Sequence, residues 1–146
     1  MKKLTRIVGL ILVFSLFLAV PPQVANAADQ RASIFFAEYG TDLEKTGTKT
    51  FRIWFDVIAN GSYMDELGTS EIVVYRSADK QSWTRMDTYR KSVNTNMIAY
   101  NTTSHDGYIT YINATPGYYY TARVTFYAKN SRGVGELDEY TEILKM

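Results

Sequence analysis

A chain of 146 residues with 16 Lys and Arg against 15 Asp and Glu is too evenly charged to offer nucleic acid or an anionic lipid an electrostatic footprint. With no cysteine it forms no disulfide, holds no metal through thiolate and carries no lipid on an N-terminal cysteine; its one histidine leaves no zinc site of ordinary ligand type. Apolar residues make up 46% of the sequence, so a core built by burial alone is within reach.

The first element is a leader. Met1 to Ala27 opens with Lys2, Lys3 and Arg6, runs through an uncharged apolar block from Ile7 to Val20, and closes on Ala25-Asn26-Ala27. A basic start, a short apolar run and an A-x-A site predict a secretory signal peptide over 1–27, cut before Ala28. The apolar block is short against the roughly 20 residues that span a bilayer, and Pro21-Pro22 ends it, so no membrane association is expected after cleavage. Residues 28–146 then form a single domain of about 119 residues with a charge near −2, because the leader holds three bases and no acid. Export without cysteine and the short Lys-Lys start point to a secreted, extracellular product of a Gram-positive bacterium. Asn60, Asn101 and Asn113 head Asn-X-Ser/Thr sequons, which matter only in a glycosylating pathway.

Arg31 to Tyr39, with Ile34, Phe35 and Phe36, reads as a first edge strand, and Gly40 to Lys49 as a polar turn region interrupted only by Leu43. From Thr50 to Ile58 the pattern sharpens: Phe51, Ile53, Phe55 and Val57 alternate with Arg52, Trp54, Asp56 and Ile58, a half-buried strand. Trp54 on the polar side is either a cross-strand partner for another aromatic or part of a surface patch, with packing favoured. Ala59 to Ser70 is the longest irregular stretch; Tyr63, Met64 and Leu67 within it either anchor a binding loop or fold as a lid over one end of the core. Ile72-Val73-Val74-Tyr75 reads as a strand buried on both sides, Ser77 to Ser82 as a turn, and Trp83, Met86 and Tyr89 as the return strand. Asn94 to Asn101 is a weak strand, Thr102 to Gly107 a loop, and Tyr108 to Asn113 a resumed alternation.

The longest clean alternation comes next. Tyr120, Ala122, Val124, Phe126 and Ala128 fall on one side, Tyr119, Thr121, Arg123, Thr125 and Tyr127 on the other, with Pro116-Gly117 before and Asn130 to Gly133 after. This predicts the central strand of a sandwich. Leu137 to Leu144 is a last strand. With no sustained helical period, seven or eight short strands predict an all-β, antiparallel β-sandwich.

Ile72 to Met86, IVVYRSADKQSWTRM, resembles the C to C′ region of fibronectin type III domains, where a strand ending in Ser is followed by an Asp-containing turn and a Trp. Ala114 to Gly133 is similar to the E to F corner and F strand of that fold. The resemblance implies a fibronectin type III-like, immunoglobulin-like sandwich, with Tyr120 as a corner tyrosine whose hydroxyl bonds backbone a few residues upstream. It implies a fold and no activity. In style the chain is also similar to small secreted proteins of Gram-positive bacteria, a likeness that brings no function with it.

Chemistry is sparse. Ser104-His105-Asp106 has triad residue types, but adjacent side chains cannot meet as nucleophile, base and orienting acid, and His105 is expected in a solvent-exposed loop. The carboxylates Asp65, Glu66, Glu136, Asp138 and Glu139 are scattered, which disfavours a small secreted hydrolase. A calcium site on 136–139 lacks the spacing of a calcium loop, and no cofactor is expected. Tyrosine is the unusual feature, with 12 in the chain, and although tyrosine favours sheets on its own account some must face outward. The expectation is therefore a non-enzymatic module for extracellular protein interaction, through the 59–70 loop with Tyr63 and Met64 or through an outward face bearing Tyr119, Arg123 and Tyr127. Carbohydrate or cell-wall binding through Trp54, Trp83 or tyrosines is the alternative. With no wall-sorting tail and no second module in the sequence, a role as spacer between catalytic domains is disfavoured.

Overall fold

In the computed structural model, which describes residues 34–146, the long alternation resolves into two faces. Tyr120, Ala122, Val124, Phe126 and Ala128 are fully buried, while Tyr119, Thr121, Arg123 and Thr125 keep partial contact with solvent. The signal peptide expected over 1–27 and the start of the first expected strand lie outside the described residues.

Among the described residues the strands are β1 (Phe36–Lys45), β2 (Phe51–Ala59), β3 (Met64–Ser77), β4 (Thr84–Arg90), β5 (Ile98–Thr102), β6 (Ser104–Tyr111), β7 (Tyr119–Asn130), β8 (Gly133–Tyr140) and β9 (Leu144–Lys145), with a 3-10 turn at Thr95–Met97. Every pairing is antiparallel. One sheet runs β1-β2-β6; the other has the spine β4-β3-β7-β8, with β5 on the first part of β3 and β9 at the start of β7. The sheets close face to face over one core, in which Phe51, Ile53, Phe55 and Val57 of β2 oppose Ile72 and Val74 of β3 and the buried row of β7. Rings cross the gap, Phe51 to Tyr120 at 5.2 Å and Tyr39 to Phe126 at 5.4 Å between centroids. The architecture is thus the antiparallel sandwich expected. The strands number nine because the last expected one divides into β8 and β9 around Thr141.

Three stretches expected to be irregular are strand. Gly40 to Lys45 continues β1, paired from Gly40↔Asp56 to Lys45↔Phe51; as an edge strand it needs only Leu43 turned inward, and Leu43 is buried. In the 59–70 stretch only residues 60–63 turn, because Met64 opens β3 and pairs with Thr102. Met64 and Leu67 are therefore core residues inside a sheet, not loop anchors or a lid. The expected 102–107 loop is largely the start of β6, where Ser104 and His105 pair with Ile58 and Val57. Glycine permits the close approaches at this end: a Cβ on Gly68, at φ +151°, would run into the Met97 carbonyl oxygen.

The chain leaves the small sheet after β6 and enters the large one at β7, and Tyr120 fixes that crossing. Its hydroxyl accepts the backbone N–H of Thr115 at 2.7 Å, while its ring is wholly buried. At the far end of β7, Asn130 Oδ1 accepts the N–H of Arg132 at 2.9 Å and Asn130 pairs with Gly133, closing a tight hairpin onto β8.

Candidate functional site on the outward face of the large sheet

Because alternate residues of a strand share a face, the register decides which outward side chains become neighbours. Between β3 and β7 it pairs Tyr75 with Thr121, Val73 with Arg123 and Glu71 with Thr125; β8 adds Tyr140 opposite Arg123 and Asp138 opposite Thr125. A bulge between Thr69 and Glu71 switches β3 from one side to the other, so Glu66 shares the outward face with Glu71.

The middle of this face is a closed set of ion pairs. Arg123 Nη2 donates to Glu71 Oε1 at 2.9 Å, its Nη1 stands 3.6 Å from Asp138, and Arg90 Nε is 3.2 Å from the second Glu71 oxygen. Burial works against the Arg123 charge, but Asp138, Tyr75, Glu71 and Tyr140 together hold its pKa above the ordinary value. Its Nε is buried with no hydrogen-bond partner among the described residues. Further along, Lys91 Nζ donates to Glu66 at 2.8 Å and Lys129 lies 3.4 Å from the other Glu66 oxygen. The Lys91 hydrogen bond, opposed by burial, lowers the Glu66 pKa. Lys91 Nζ also sits 3.3 Å from the centre of the Tyr127 ring, which is 9% exposed. Of the three expected contact residues on this face, Tyr127 is covered and Arg123 is held by acids; Tyr119 keeps solvent contact.

At the other end the face is apolar and open. Tyr75, Trp83, Thr121, Tyr140, Thr141 and Ile143 line a groove of about 450 Å³, with Tyr140 58% and Ile143 49% exposed. Hydrogen bonds brace its floor: Thr141 Oγ1 accepts the Ala122 N–H at 2.9 Å, and Thr121 Oγ1 donates to the Thr141 carbonyl at 3.0 Å. Trp83 is set by the turn before it. Ser77 Oγ accepts the N–H groups of Asp79 and Lys80, and Asp79 Oδ1 accepts those of Gln81 and Ser82. The bonds from Ser82, Gln81 and the Ser77 hydroxyl hold the Asp79 carboxyl below its usual range. Among the described residues no carboxylate lines the groove.

The remaining expected contact residues lie elsewhere. Trp54, on the outward face of the small sheet, packs on Tyr108 directly across the strands with ring centroids 4.7 Å apart. Its indole N–H donates to Glu44 at 2.8 Å and Arg52 caps the Tyr108 ring at 4.6 Å, so this cluster satisfies itself. Tyr63 stands in the 60–63 turn, 73% exposed, whereas Met64 beside it is buried with its Sδ 3.3 Å from Asn130 Nδ2. His105 is not a solvent-exposed loop residue: it lies in β6, half-buried, with its ring 5.5 Å from Phe55 and its Nε2 2.9 Å from the Asn96 carbonyl, to which it donates. Glu136 accepts from Ser70 and Asp138 from Thr125, and among the described residues no three of His, Asp and Glu gather at one point.

Sequence reasoning named Trp83 and missed Tyr75, Tyr140 and Ile143. Tyr75 reads as the end of an apolar run, and Tyr140 and Ile143 as parts of one strand; only the lateral order of β3, β7 and β8 makes them neighbours. The available signal was the register of Tyr75 in its run, since Ile72 and Val74 face the core and their alternates face out.

No family model matches the chain, and no curated protein matches it. Among solved structures it is similar to Spo0M, the sporulation control protein from Bacillus subtilis, at 8% identity and a TM-score of 0.43 over 73% of this chain and 49% of that one. It is also similar to the X-ray structure of Northeast Structural Genomics Consortium target SoR45, at 10% identity and a TM-score of 0.42 over 73% and 81%. The chain spans about half the length of Spo0M. Both likenesses are between sheet-rich folds, and neither assigns a family or an activity.

Proposed function

We propose that the chain is an exported, non-enzymatic β-sandwich module of fibronectin type III-like build that binds a cell-surface glycan in the groove of Tyr75, Trp83, Tyr140 and Ile143. One observation carries this reading: three aromatic side chains from separate parts of the chain converge on an open groove whose floor is hydrogen-bonded. Aromatic rings fixed on a sheet present large flat area at small entropy cost, which suits the apolar face of a sugar ring, and tyrosine hydroxyls and indole N–H supply polar handles at the edges. The Tyr120 hydroxyl bond to Thr115 supports the fibronectin-like build. The leader pattern over 1–27, its short Lys-Lys start and the absence of cysteine support a bacterial, extracellular setting.

An extended peptide fits the groove less well. β3 and β7 are interior strands whose backbone groups are spent on their neighbours, so a peptide laid over them finds no free edge to join as an added strand. Protein interaction is the second reading, and the observation that favours it is Tyr63, standing free in its turn. Retention of the purified chain on insoluble polysaccharides and on a glycan array tests the proposal. Retention is expected for the native chain and loss for Tyr75→Ala with Trp83→Ala; no retention on any glycan refutes it, and a protein partner lost on Tyr63→Ala alone establishes the second reading instead.

A further inference from the structure

We infer that the glycan is anionic, and that Lys80 and Lys145 hold its negative groups at the end of the groove; this rests on the glycan reading above. Thr121 lines the groove, and Tyr119, two residues earlier on the same side of β7, stands just beyond it opposite Ser77. Two ammonium groups converge on the Tyr119 ring, Lys80 Nζ at 4.6 Å and Lys145 Nζ at 5.4 Å from its centre. Lys145 arrives there because β9 pairs it with Tyr119. Lys80 arrives from the 77–82 turn in a left-handed conformation, φ +64°, with its N–H bound to Ser77 Oγ at 2.8 Å. A lysine in that conformation is disfavoured in isolation, and the turn holds it in place.

Ion pairing changes along the face. Arg90, Lys91, Arg123 and Lys129 are each matched to Glu66, Glu71 or Asp138, whereas Lys80, Lys145 and Arg85, the last opposite Tyr75 on β4 and bonded to Thr88, have no ion-pair partner among the described residues. The carboxylate next to Lys80, Asp79, is engaged by Ser77, Gln81 and Ser82, and Glu142, the nearest in sequence to Lys145, makes no ion pair with it. Two ammonium groups on one ring make this end of the groove locally positive, so the site is complementary to a carboxylate or phosphate carried by a sugar unit. An acidic peptide would satisfy the lysines but would find no free strand edge in the groove. The shared chemistry is a sugar ring next to anionic oxygens; a uronic acid and a sugar phosphate both supply it.

Binding to polygalacturonate, phosphomannan, a neutral galactan and poly-L-glutamate, with and without Lys80→Gln plus Lys145→Gln, decides the matter. At least one charged glycan is expected to bind roughly tenfold tighter than the galactan at about 50 mM salt, an advantage that shrinks toward 500 mM. The double variant is expected to erase that advantage and leave galactan binding unchanged; whichever of polygalacturonate and phosphomannan binds tighter identifies the anion. Equal affinity for charged and neutral glycans, or a preference that survives the double variant, overturns the inference while leaving the groove intact. Poly-L-glutamate binding as tightly as the charged glycans overturns it in favour of an acidic peptide. If no glycan binds, or if glycan binding is unchanged in Trp83→Ala with Tyr75→Ala, the parent reading has failed, and this inference with it.

Discussion

Replacing Tyr120 by phenylalanine removes one oxygen from the centre of the fold and nothing else. The ring is wholly buried and keeps its contacts with Phe51 at 5.2 Å and Tyr111 at 5.9 Å, so no cavity opens. What is lost is the hydroxyl that accepts the Thr115 N–H at 2.7 Å. A hydrogen bond of this kind contributes about 1 kcal/mol net, and a donor stranded out of water adds to the loss; because Thr115 is only half-buried, water relieves part of that addition, and the expected cost is about 1.5 kcal/mol. For a domain of this size that is a fall in Tm of roughly 6 °C, with an unchanged denaturant slope. By comparison, Tyr120→Ala empties the site and is expected to cost about 3–5 kcal/mol. Urea melts of the two variants give the energies, and hydrogen exchange at the Thr115 amide reports the bond itself. A Tyr120→Phe chain within about 0.3 kcal/mol of native, with Thr115 protection unchanged, would show that the crossing from β6 to β7 does not depend on this bond.

Gly68→Ala is expected to destabilise by more than about 2 kcal/mol, since the new methyl meets the Met97 carbonyl and the backbone sits at φ +151°; a chemical melt with native-like stability refutes the close approach. Trp54 and Tyr108, 4.7 Å apart across β2 and β6, are expected to show a coupling of about 1 kcal/mol in a double-mutant cycle and no effect on glycan retention; a coupling near zero removes the pair from the fold's stabilising contacts. Glu66 and Asp79 have carboxyl groups whose pKa lies lower in the folded chain than in the unfolded one. Their contribution is therefore fully present above the ordinary carboxylate range and lost as pH falls through the folded values, so stability declines below about pH 4 and that decline is smaller in Glu66→Gln; an acid limb identical in the variant refutes the assignment.

The sequence by itself determined the fold class and its two clearest strands. In β2 and β7 every second residue is apolar, and a period of two with one greasy side has one solution, a strand with that side on the core. Of its two readings for Trp54 the favoured one, packing on another aromatic, is what the structure has, and the Tyr120 hydroxyl bond was what the resemblance to fibronectin type III domains implied. The sequence did not reveal that Gly40 to Lys45, Met64 to Ser70 and Ser104 to Gly107 are strand. Those stretches are held by backbone bonds to a partner whose own alternation is strong, and an edge strand or a bulged one needs no apolar period to accept them. Nor did it show that Lys91 covers Tyr127 or that acids hold Arg123. Periodicity assigns a residue to a side of its own strand, whereas a site depends on which strands lie next to each other. Only the order β4-β3-β7-β8, with β9 returning beside β7, brought Tyr75, Trp83, Tyr140 and the two unpaired lysines to one end of one face.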